Sequence, residues 1–166
     1  PPPTGPKTDC GGTDMTNFFA PRDTLIRHLR LLIDSNTLRS VESANEFADL
    51  LDGKLPFVHR AAYVVYDKYS NVSVQGRTQK MTQHYTVYLV MRHARRAEPD
   101  MEAGTVLAAL MAHVEGLAVS DGDTHTNPGY GKRFTLGVAD DAFYRPDGWG
   151  IYPASFTIDI INLRSS

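Results

Sequence analysis

The chain has 166 residues, a length that suits one domain with a core large enough to need no disulfide or metal. Its formal net charge is −2, which argues against a nucleic-acid binder of the usual basic type. The single cysteine, Cys10, cannot close an internal disulfide. A secreted disulfide scaffold is therefore excluded, and Cys10 reads as an incidental thiol. No apolar run approaches the roughly 20 residues of a membrane span. The opening PPPTGPKTDCGG lacks the apolar core of a signal peptide, so a cytoplasmic protein without membrane contact is expected.

Residues 1–20 read as an extended, polar, Pro/Gly-rich arm, and residues 21–166 as a single domain. Such an arm cannot bury enough apolar surface to order itself. Phe18 and Phe19 are its natural anchors, on the core or on a neighbouring subunit. Pro21 then opens a helix with one apolar stripe: Leu25, Ile26, Leu29, Leu32 and Ile33. A short second helix is predicted over Ser43 to Leu51. Ser43 and Glu46 have capping-box spacing, and Gly53 is the stop signal.

An extended run follows from Phe57 to Tyr69, apolar on both faces around Ala61 to Tyr66, which reads as a central strand. Residues 70–80 are polar and read as a hairpin loop. From Thr82 to His93 apolar and polar residues alternate, with Tyr85, Val87, Leu89 and Met91 on one face. Glu98-Pro99-Asp100 starts a core helix through Leu107, Leu110, Met111, Val114 and Leu117, and a long polar loop covers Ser120 to Gly131. Two strands complete the order: Arg133 to Tyr144 and Trp149 to Ile161, turned by Pro146-Asp147-Gly148. The expected fold is α+β: a single antiparallel-rich mixed sheet of about four strands with helices packed on one face, in the order ααββαββ. The aromatic residues Phe143 to Phe156 read as mostly core, with Trp149 and Tyr152 as candidates for a partner contact.

The search for chemistry finds no site. The six histidines show no HExxH spacing and there is no CxxC, so no metal or cofactor is expected. The serines lack a GxSxG elbow. Gly129 to Lys132 lacks the spacing of a phosphate loop, and Asp121 with Asp123 reads as a solvated turn. Asp140 and Asp141, being adjacent, cannot easily share a proton. The densest charge cluster is Arg92-His93-Ala94-Arg95-Arg96, with Arg77 and Lys80 in the preceding hairpin. These cations read as solvated or as ion-pair donors between subunits. An enzyme would instead show a deep pocket holding two or more His or Asp side chains.

The segments LPFVHRAAYVVYD, TQHYTVYLVMRHAR, AGTVLAALMAHVEGL and FYRPDGWGIYPASFTIDI, in this order, resemble the tail terminator and minor tail proteins of long-tailed bacteriophages. The likeness covers residues 21–162. It implies a structural virion protein with no catalytic residue: a ring, hexameric by resemblance, at the head-proximal end of the tail tube. Such a ring would stop tube polymerisation, join tail to neck or head, and let DNA through its lumen without reading sequence. The implied partners are copies of itself, the tail tube protein and a neck or head-completion (connector) protein. Another tail-completion or neck component of related fold fits the same segments. Phe18, Phe19, Arg77, Lys80, Arg92, Arg95, Arg96, Trp149 and Tyr152 are the expected assembly residues.

Overall fold

The computed structural model describes residues 18–93, 101–119 and 133–163. Within them the order is α1 (Ala20–Leu29), α2 (Leu31–Asp34), β1 (Ser40–Glu42), α3 (Ala44–Leu51), β2 (Ala61–Gln75), β3 (Thr78–Arg92), α4 (Met101–Val114), β4 (Thr135–Leu136), β5 (Phe143–Tyr144) and β6 (Trp149–Leu163). The class is α+β with one mixed sheet, as the pattern implies. The sheet has six strands rather than four, in the order β1-β2-β3-β6-β4, with β5 also on β6. The additional strands are two or three residues long, too short to impose a period-2 pattern.

The first apolar stripe is divided between two helices. The chain tightens after Arg30, where the Ile33 N–H donates to Arg30 O three residues back. Leu32 and Ile33 still reach the same core as Leu25 and Leu29, so the break does not interrupt the stripe. α3 starts as its capping box requires: the Ser43 N–H donates to Glu46 Oε2 at 3.2 Å. Its Leu51 is exposed, however, and only Leu50 is fully buried.

The helices do not share one face. Alternation along β2 points Ala62 and Val64 towards α1 and α4, and Ala61 and Tyr63 away from them. Along β6, Tyr152, Ala154, Phe156, Ile158 and Ile160 face the main core, while Ile151 faces the other side. That second face is apolar only near Tyr63, Val90 and Ile151, and α3 covers it there through Leu50 and Phe47. β1 is parallel to β2 across α3, and the remaining pairs of the described sheet are antiparallel. β3 and β4 are both antiparallel to β6 and so run parallel to each other, which makes β3-α4-β4 a β-α-β crossover with β6 between its two strands.

The stretch expected as a loop over 70–80 is largely strand. β2 continues to Gln75, β3 begins at Thr78, and Gly76 (φ 60°) with Arg77 makes the turn. Residues 71–77 are all exposed, and so carry no alternation to read. The single strand expected over Arg133 to Tyr144 is two short strands with residues 137–142 in neither.

Candidate assembly surface

Long strands with short neighbours leave bare edges. β1 pairs with β2 only over Ala61 to Tyr63. Beyond that, β2 has β3 on one side and no described strand on the other. This free edge carries Tyr69, Val72 and Val74 at 52%, 54% and 52% exposure. Lys68, Arg77 and Lys80 are exposed around it. The edge is irregular: the β2–β3 register shifts between Ser70 and Ser73, with Asn71 at φ 55°. Such a bulge is a device that limits open-ended strand pairing.

On the opposite side of the sheet, β4 and β5 cover β6 only at Phe156–Thr157 and Gly150–Ile151. Residues 158–163 of β6 pair with β3 alone among the described strands. Between β4 and β5 the chain runs as an exposed strip, held at its start by Gly137 N–H donating to Ser155 O at 2.8 Å. Leu136, Phe143 and Tyr144 are about half exposed, and Val138 is 97% exposed. Asp140 and Asp141 lie on the same strip, which contains no cation from Leu136 to Tyr144.

A cleft of about 550 Å³ lies between this strip and the sheet, lined by Asp67, Lys68, His84, Thr86, Asp140 and Ser155 among others. The Thr86 hydroxyl donates to Asp67 Oδ2. Loss of solvent nevertheless raises the Asp67 carboxyl above the ordinary carboxylate range; the Thr86 bond opposes this and Asp140 adds to it. The cleft thus holds the two Asp and one His named above as the mark of an enzyme. Ser70 Oγ lies 2.7 Å from His84 Nε2, a cross-strand bond between β2 and β3. As a nucleophile and base the pair would also need a group orienting the imidazole and donors at a developing oxyanion. Among the described residues no cluster of His, Cys, Asp and Glu could hold a metal.

A second polar node ties the far end of the sheet. Glu102 on α4 accepts from the Arg60 guanidinium and from His59 Nε2 at 3.2 Å. His59 Nδ1 accepts the Arg92 N–H at 2.9 Å, so the neutral ring carries its proton on Nε2. The Arg60 bond is the main reason the Glu102 carboxyl sits below the ordinary carboxylate range.

The family model for the phage tail terminator protein matches residues 15–164. The chain belongs to the phage tail terminator family. It is a structural protein of a phage tail. No curated protein matches it. Among solved structures, a chain from the virion of a native gene transfer agent particle shares the fold, with a TM-score of 0.55 and 12% identity over 85% of this chain and 94% of that one. Among the described residues no helix is long and apolar enough to cross a membrane.

The residues expected to serve a tail terminator's surfaces fall into separate places. Phe18 and Phe19 stand edge-on to Tyr66 at 5.7 and 5.3 Å. Phe18 O also accepts from the buried Gln83 Nε2 at 2.8 Å, so the chain is pinned to the sheet as it enters α1. Arg77 and Lys80 are at the hairpin tip, whereas Arg92 and Trp149 face each other at the opposite end of β3, roughly 45 Å away at strand rise. The Arg92 guanidinium lies 5.7 Å from the Trp149 ring. Tyr152 is buried in the main core, its hydroxyl 2.9 Å from His93 Nε2. Arg95, Arg96, Cys10, the 121–123 pair and the 129–132 stretch lie outside the described residues. The strip residues Leu136, Val138, Phe143 and Tyr144 were not expected at a surface. The signal for them was a cluster of large apolar residues around Asp140 and Asp141, with no alternation to place it in a core.

Proposed function

We propose that this chain forms a homo-oligomeric ring, hexameric by analogy with its family, at the head-proximal end of the tail tube. The ring stops tube growth, joins the tail to a neck or connector protein, and passes DNA through its lumen without reading sequence. No chemical step is involved. The observation that carries this reading is the family match across residues 15–164.

The sheet supports it physically. A ring needs two different faces on each copy, and a sheet with part of each outer flank unpaired among the described strands offers two. Residues 67–75 of β2 and 158–163 of β6 run in the same direction, because each is antiparallel to β3. Head-to-tail stacking of copies would bring unlike edges together, the kind of contact that closes into a ring when the rotation between copies divides a full turn. Arg77 and Lys80 at the tip, Arg92 and Trp149 at the other end, and Arg95 and Arg96, which follow β3 in sequence, serve neighbours in the ring or the tube. Phe18 and Phe19 fix the point from which the 1–20 arm leaves the 21–166 domain. The deciding experiment is imaging of particles produced without this protein. Tails of uncontrolled length, unattached to heads, are expected. Tails of normal length, or turnover of a substrate by the purified chain, would overturn the reading.

A further inference from the structure

Large exposed apolar side chains on a soluble domain mark contact surfaces when they cluster. Here seven of them fall on two opposite flanks of one sheet: Tyr69, Val72 and Val74 beside β2, and Leu136, Val138, Phe143 and Tyr144 beside β6. The charges divide in the same way. Residues 69–80 contain Arg77 and Lys80 and no acid, Lys68 lying instead in the cleft beside Asp140; residues 134–144 contain Asp140 and Asp141 and no cation. Each flank is apolar with one sign of charge.

We infer that the acidic strip of one copy receives the basic β2–β3 hairpin of the next copy, with Asp140 and Asp141 opposite Arg77 and Lys80. This names the contact within the ring proposed above and rests on that reading. The occupant is a second copy of this chain because both halves of the match are on the chain itself. A two-fold dimer fits poorly: hairpin on hairpin opposes like cations, and strip on strip opposes like carboxylates. Only the unlike pairing buries both apolar flanks and neutralises both charges. The bulge at Ser70–Ser73 discourages unrestricted strand addition at the same edge, leaving side chains to set the register.

The test uses two variants in tail-producing cells that lack the natural chain. Asp140→Lys with Asp141→Lys makes the strip basic; Arg77→Glu with Lys80→Glu makes the hairpin acidic. Each alone opposes like charges at every contact and should reduce normal-length tails at least about tenfold. Expressed together, they can alternate around a ring of even number with every contact matched, and normal tails should return. A chain with all four reversed should assemble alone, and circular dichroism melts confirm folding of each. Failure of rescue, or normal tails from either variant alone, overturns the inference. A tube or connector contact at the hairpin gives no rescue and so counts against it. The copy number at the natural tail end separates the two readings: a single copy sinks the ring itself, while a natural ring without rescue sinks only this contact.

Discussion

Asp67 shows how a single side chain records its surroundings. Its carboxyl titrates above the ordinary range chiefly because folding strips water from it, with Asp140 adding repulsion. An acid raised in this way is penalised only while ionised. Below its unfolded value it is neutral in both states and costs nothing; as pH rises through the folded value the penalty is fully established. Asp67→Asn keeps an acceptor for the Thr86 hydroxyl and cannot ionise. The variant should therefore melt above the natural chain at pH 7, and the two should converge on acidification to about pH 3, below the ordinary carboxylate value. Melting temperature against pH checks this; an equal gap at both ends of the range would remove the carboxylate as its cause. Glu102 has the opposite sign, since Arg60 lowers it, and its contribution is lost as pH falls through the folded value. The ion pair is half exposed, so its net worth is small.

At the scale of elements, the pairing of β3 with β6 sets the centre of the sheet, and one glycine shows how tightly its end is fitted. A Cβ on Gly150 would lie 2.8 Å from His93 Nε2 and 3.0 Å from the Tyr152 ring. Those two side chains are bonded to each other, so neither moves alone. Gly150→Ala should cost about 1–3 kcal/mol, the range for overpacking a fitted core, read by denaturant unfolding; an unchanged midpoint would mean the ring end is loose. Elements that bury one face regularly were legible in sequence. Tyr85, Val87, Leu89 and Met91 alternate as expected, and all four are buried. Ser43 and Glu46 were legible because a cap depends on local spacing. The distal hairpin was not, because strands exposed on both faces carry no burial pattern and are held by the ladder and by ties such as Thr82 to Asp159 at 2.6 Å. Trp149 and Tyr152, three residues apart on one strand, necessarily face opposite sides; pairing them as a single surface overlooked the period of two.

For the whole molecule, the net charge of −2 is too small to hold copies apart, so the distribution of charge governs their meeting. The two flanks combine terms that respond differently to salt. Attraction between the strip and the hairpin acts at a distance and is screened, with a Debye length falling from about 30 Å at 0.01 M to about 3 Å at 1 M. Contact between Val72, Val74, Val138 and Phe143 acts only after docking and is not screened. Exposed charges at the margin of an interface change association more than dissociation. Raising sodium chloride from about 0.05 M to 0.5 M should therefore slow assembly of fluorescently labelled copies at least about fivefold, while dissociation of formed rings changes less than about twofold. Stopped-flow energy transfer measures the first rate, and exchange against unlabelled chain the second. Association indifferent to salt would mean that shape alone sets the register. Dissociation that accelerates with salt as much as association slows would place the charge pairs in the body of the interface, with the apolar flanks facing another particle protein.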